Sequence, residues 1–99
     1  MGYKLSQKSE KDFEDIYEYT HKNFGEKQAD KYTDSLEECF SLLSETPTLG
    51  RHIDDIKKGF LRHEHQEHVI FYQIKLFSKN KDIFIVRILH GSMEPKRHL

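Results

Sequence analysis

Apolar positions along this chain fall into short periodic segments separated by polar punctuation. Tyr3-Lys4-Leu5-Ser6 alternates and predicts a short first strand. Ser6 is a candidate helix N-cap, and Ser9, with Asp12 three residues on, is a second. Phe13, Ile16, Tyr17, Thr20 and Phe24 then recur at helical spacing, while Lys11, Glu14, Asp15, Glu18 and Lys22 face outward. Asn23-Phe24-Gly25 ends this helix at a residue free to enter the left-handed region. A second helix over residues 26–45 carries the stripe Ala29, Tyr32, Leu36, Cys39, Phe40 and Leu43, with Asp34, Glu37 and Glu38 outside. Pro47 marks its end, and residues 46–51 read as a turn or loop that Ile53 and Ile56 pack down.

The rest of the chain reads as strands. Residues 60–65 form one with a polar, exposed side, and Gln66-Glu67 is its turn. Residues 68–77 alternate, with Ile70, Tyr72, Ile74 and Leu76 on one face and Val69, Phe71, Gln73 and Lys75 on the other. Residues 78–82 form a polar hairpin turn. Residues 83–89 are the strongest strand signal, apolar everywhere except Arg87 and β-branched at Ile83, Ile85, Val86 and Ile88. Such a run suits a strand packed on both faces. Its single arginine must be paired or must reach a wet groove. His90, Gly91, Met93, Pro95 and a basic tail follow, and lay a polar segment beside this strand.

The order β-α-α-β-β-β predicts an α+β domain over residues 1–99. An antiparallel two-helix hairpin packs on one face of a small, mainly antiparallel four-stranded sheet. The other face is expected to be partly uncovered, with Arg62 or Arg87 showing there.

Composition sharpens this picture. The chain has 99 residues, and a 35% hydrophobic share is low enough to suggest that a partner completes the fold. One cysteine excludes an intramolecular disulfide, and no apolar run suits a leader or membrane span, so a cytoplasmic protein is expected. The net charge of −1 hides an asymmetry: residues 1–50 hold 6 Lys/Arg against 11 Asp/Glu, residues 51–99 hold 10 against 6. A basic half on a near-neutral chain points to an acidic partner rather than to direct sequence-specific DNA binding.

Two constellations carry candidate chemistry. His63-x-His65, with His68 nearby, has a spacing that zinc can use. A site needs three or four ligands, and no cysteine or carboxylate stands where it would complete one, so a polar strand edge is the simpler reading. No metal or cofactor is expected. Arg51, Arg62, Arg87, His90 and Arg97 form the second set. Arginine forks clamp carboxylates or phosphates, and a histidine beside them can move a proton near neutral pH. A metal-independent ribonuclease would use such groups. Equally, Arg87 can be salt-bridged to a helix or loop carboxylate while His90 caps the strand end. Phe60, Phe71 and Phe84 read as core or partner-groove residues, and Cys39 sits on an apolar stripe with no cause for reactivity.

The ordered set of short motifs resembles ParE, the toxin family of type II toxin–antitoxin modules within the wider ParE/RelE group. The resemblance runs through Tyr3-x-Leu5-Ser6, Asp12-x-x-x-Ile16, Phe24-Gly25-x-x-x-Ala29-x-x-Tyr32 and Pro47-x-x-Gly50-Arg51. It is strongest in His68-Val69-Ile70-Phe71-Tyr72 and Val86-Arg87-Ile88-Leu89-His90-Gly91, with Met93 and Arg97-His98-Leu99. It implies a toxin that poisons DNA gyrase and is silenced by a ParD-like antitoxin. The relatives that cleave ribosome-bound messenger RNA use basic residues with a late tyrosine or His-Tyr pair. Here Gly91 follows His90 and no tyrosine occurs after Tyr72. That favours a non-enzymatic gyrase inhibitor with no catalytic residues. A message-cleaving toxin and an inactive, antitoxin-binding remnant are the alternatives. The residues expected to meet a partner are Arg51, Arg62, Phe71, Arg87, His90, Met93 and Arg97.

Overall fold

The computed structural model describes residues 2–77 and 80–99. Strand β1 (Tyr3–Leu5) leads into α1 (Gln7–Phe24) and α2 (Glu26–Glu45). A 3-10 turn at Pro47–Leu49 and a short strand β2 (Arg51–His52) follow. Then come β3 (Leu61–His65), β4 (His68–Phe77), β5 (Asn80–His90) and a terminal turn of helix, α3 (Pro95–His98). The strands form one sheet in the order β1-β5-β4-β3-β2, with β1 parallel to β5 and every other pair antiparallel.

The expected helical hairpin and meander are present, with five strands rather than four. The missed one is β2, only two residues long and placed in the stretch read as a loop. It pairs with β3 through Arg51 opposite Arg62 and His52 opposite Leu61. A strand this short has no periodicity to recognise. Of the turn expected at residues 78–82, residues 78 and 79 lie outside the described residues, and Asn80 already belongs to β5.

Local chemistry explains the helix boundaries. Ser6 caps α1 by accepting from the Ser9 N–H at 3.0 Å. Ser9 is no cap; its buried hydroxyl lies 2.9 Å from the Ile85 carbonyl and 3.0 Å from that of Ser6. This ties the first turn of α1 to β5. Gly25 joins the helices at φ 93°, where a side chain is disfavoured. It closes α1 through its N–H to the His21 carbonyl, and its own carbonyl accepts from Ala29.

The main core lies between the hairpin and the sheet, where Ile16, Leu36, Phe40 and Leu43 meet Leu61, Ile70, Tyr72, Ile83, Ile85 and Ile88. Tyr72 is fully buried, yet its hydroxyl is satisfied. It donates to the Pro47 carbonyl at 2.7 Å and accepts from the Gly50 N–H at 2.9 Å, pinning the α2–β2 connection to the sheet. A Cβ at Gly50 would collide with that hydroxyl and stand 2.9 Å from the Arg62 carbonyl.

The opposite sheet face is covered, contrary to expectation. Ile53 and Phe60, from the stretch between β2 and β3, pack on Val69, Phe71 and Leu89, with Leu99 alongside. Phe71 is 1% exposed, so it belongs to this second core and offers no surface to a partner.

Candidate functional site

Residues at four places build a groove of about 780 Å³: α1 from Asp12 onward, the start of α2 at Gln28 and Tyr32, the β3–β4 turn, and the end of β5 with the tail that follows. Ile16, Thr20, Ile88 and Leu89 contribute apolar floor. Tyr19, Phe24 and Met93 line it and are 66%, 69% and 37% exposed, an unusual cost in open apolar surface for so small a protein. Asp12, Asp15, Glu67 and Gln28 supply polar groups on its walls, and Tyr32, His68 and His90 stand at its sheet end.

Arg87 also borders this groove, but its charge is spoken for. The paired register runs from Tyr72 opposite Ile85 directly to Phe71 opposite Arg87, leaving Val86 as an inserted residue. Ile83 and Ile85 point into the main core, so an unbroken alternation would send Arg87 there too. The bulge changes the parity, and Ile88 takes the core position instead. Arg87 then donates from Nε to Asp12 Oδ2 at 2.8 Å and from Nη2 to Oδ1 at 2.9 Å. Its Nη1 donates to the His98 carbonyl at 3.3 Å. The hydrogen bond and charge of Asp12 hold the guanidinium even more firmly protonated than usual, against the effect of burial. Asp12 Oδ2 further accepts the Ile88 N–H at 3.0 Å, a donor beyond the last residue of β5 that β1 covers. One carboxylate thus binds a helix, a strand edge and, through Arg87, the C-terminal turn.

At the sheet end His65, His68 and His90 occupy a single rung across β3, β4 and β5. The Tyr32 hydroxyl lies 2.6 Å from His68 Nδ1, and Ser35 Oγ lies 2.9 Å from His65 Nε2. His90 Nδ1 meets the Ser92 N–H at 3.2 Å and the Ser92 hydroxyl at 2.8 Å. Burial pushes the His65 and His68 pKa values down, with His63 adding to the first and His90 to the second. Burial likewise raises that of Tyr32.

The expected partner residues therefore do not share one surface. Arg87, His90 and Met93 border the large groove. Arg51 and Arg62 line a separate cleft of about 250 Å³ at the β2–β3 edge, sharing Glu64 at 4.0 and 3.6 Å. Arg62 leans over the Phe71 ring, and its buried Nε has no hydrogen-bond partner among the described residues. Arg97 is exposed on α3. Tyr19, Phe24, Tyr32 and Glu67 were not anticipated as groove residues. A large aromatic at the last position of α1, beside the Gly25 turn, was the available signal.

Among the described residues, no group of three or more His, Cys, Asp or Glu side chains is disposed to hold a metal ion. Nor is any helix among them long and apolar enough to cross a membrane.

The fold has a counterpart in known proteins. Residues 3–95 match the family model described as the ParE toxin of the type II toxin–antitoxin system parDE. Toxin ParE1 of Caulobacter vibrioides is 30% identical over 97 residues, covering 98% of this chain and 96% of that protein. Toxin ParE1 of Mycobacterium tuberculosis is 29% identical over the same length and coverage. A solved chain described as the chromosomal ParDE TA system from P. aeruginosa superposes with a TM-score of 0.73 at 22% identity, over 91% of this chain and 95% of that one. That likeness speaks to the fold. The chain belongs to the ParE toxin family of the ParE/RelE superfamily. Membership carries with it a toxin role in a type II module.

Proposed function

We propose that this chain is a single-domain toxin that arrests growth by poisoning DNA gyrase without catalysing a reaction, and that a ParD-like antitoxin silences it by occupying the groove. The observation that supports this most is the open apolar wall of Tyr19, Phe24 and Met93 on a member of the ParE family. Side chains of this size left exposed along a groove of this volume favour an amphipathic segment laid into it. Arg51, Arg62 and Arg97 provide cationic contacts for the acidic residues of such a segment outside the groove. Two features favour this reading over a message-cleaving toxin: the fork of Arg87 is occupied by Asp12, and Arg62 stands in a different cleft. A phosphodiester would find neither guanidinium free beside His90.

Purified toxin added to gyrase and supercoiled plasmid is expected to accumulate linear DNA covalently linked to the enzyme, and added antitoxin is expected to prevent it. Undisturbed supercoiling at excess toxin would refute the gyrase target. Site-specific cuts in ribosome-bound message, tested in parallel by translation in vitro, would establish the ribonuclease reading instead. Antitoxin binding with neither activity would identify a remnant.

A further inference from the structure

The histidine rung is not needed for any step proposed so far, yet it is one of the most organised polar features of the chain. His65, His68 and His90 come from three different strands, and register places them side by side. The rings of His68 and His90 meet edge to face with centroids 5.6 Å apart. Tyr32, on α2, lies over both His65 and His68, with centroids 6.0 and 5.5 Å away.

One assignment of donors and acceptors suits all three neutral rings. The Tyr32 hydroxyl, 2.6 Å from His68 Nδ1, donates to that nitrogen when the neutral ring carries its proton on Nε2. The Ser92 N–H donates to His90 Nδ1, which likewise leaves the His90 proton on Nε2. Ser35 Oγ already donates to the Tyr32 carbonyl at 2.6 Å, so it accepts from His65 Nε2. The arrangement satisfies every one of these donors while all three imidazoles are neutral.

We infer that this rung is a proton-sensitive latch: it fastens α2 to the end of the sheet while His68 is neutral, and releases it when His68 takes up a proton. A proton on His68 Nδ1 turns the acceptor of the Tyr32 hydroxyl into a donor, and the hydroxyl hydrogen loses its partner. The His65–Ser35 bond survives protonation, but positive charges then accumulate along the rung. The groups facing His68 divide in sign. His90 of β5 and His65 of β3 oppose its protonation, whereas Glu67 of the turn and Asp12 of α1 favour it; burial outweighs the latter two. Glu67 Oε2 also stands 3.8 Å from His90 Nε2. The folded state thus holds His65 and His68 neutral more strongly than the unfolded chain does. Their contribution to stability is complete above the ordinary histidine pKa and is lost as pH falls through the lowered folded values. Because Tyr32, Glu67, His68 and His90 also line the groove, its sheet-end wall shifts with pH.

The test uses the full chain. Histidine ring NMR is expected to show His68 titrating below the ordinary histidine value, as its Nε2–H tautomer before it charges. Hydrogen exchange at the amides of residues 32–36, corrected for intrinsic rates, is expected to rise severalfold between about pH 7.5 and pH 5. Each histidine released changes the opening equilibrium by no more than about tenfold per pH unit. His68→Asn keeps an acceptor near the Nδ1 position but cannot titrate, and is expected to flatten that rise. The inference is overturned if His68 titrates at or above the ordinary value, or if His68→Asn opens with acid as the unmodified chain does. Should that variant not fold, the ring titration and tautomer of the unmodified protein decide the matter alone.

Discussion

Replacing Asp12 with alanine removes three hydrogen bonds at once. Arg87 loses both arms of its fork, and the Ile88 N–H loses its acceptor. The side chains of Arg87 and Asp12 are 16% and 13% exposed, so water compensates little. Leaving a buried charge without its partner costs about 3–5 kcal/mol. A chain of 99 residues has a total stability of about 5–15 kcal/mol, so Asp12→Ala removes a large part of it. Arg87→Met keeps the stem packed and leaves Asp12 bonded to Ile88, so its loss is expected to be smaller. The double variant should cost less than the sum of the two singles, with a coupling of about 2 kcal/mol or more. Urea unfolding at neutral pH, with midpoint and slope determined separately, measures all four corners of this cycle. A loss below about 1 kcal/mol for Asp12→Ala, or strictly additive singles, would refute the account of Asp12 as the clamp between helix, strand edge and C-terminal turn.

Three further outcomes are expected. Gly50→Ala drives a methyl group against the Tyr72 hydroxyl and the Arg62 carbonyl, and should lower stability by about 1–3 kcal/mol in the same urea assay; no loss would mean that the α2–β2 connection yields freely. Phe71→Ala should cost about 3–5 kcal/mol by emptying the second core, whereas a fully stable variant with weakened partner binding would return Phe71 to the surface role expected from sequence. Phe24→Ser should leave stability within about 0.5 kcal/mol, because its ring is 69% exposed. Antitoxin affinity, read by calorimetry, should fall severalfold, and unchanged affinity would place the antitoxin elsewhere.

The sequence by itself determined most of the architecture. Periodicity located both helices, Gly25 the turn between them, and the alternation of Ile70 and Tyr72 against Val69 and Phe71 the two faces of β4. These signals are local, because they arise from backbone geometry and from which side of an element meets water. The resemblance to ParE was legible from short motifs spread over the whole chain, since the pieces keep their order. Asp12 appeared in one of those motifs, but its role did not.

What only the tertiary structure decided depends on contacts between distant parts of the chain. Arg87 lies on the same parity as Ile83 and Ile85, and nothing in residues 83–89 reveals that Val86 is an inserted residue. The bulge is defined against β4, and Asp12 is 75 positions away from the arginine it holds. The second sheet face looked open because the stretch at residues 53–60 has no regular period, yet Ile53 and Phe60 close it and bury Phe71. The histidine rung has the same origin. His65, His68 and His90 are spaced irregularly in sequence, and antiparallel register alone sets them in one row. Patterns of two and 3.6 residues specify elements; which residues face each other across strands is fixed by how those elements pair and pack.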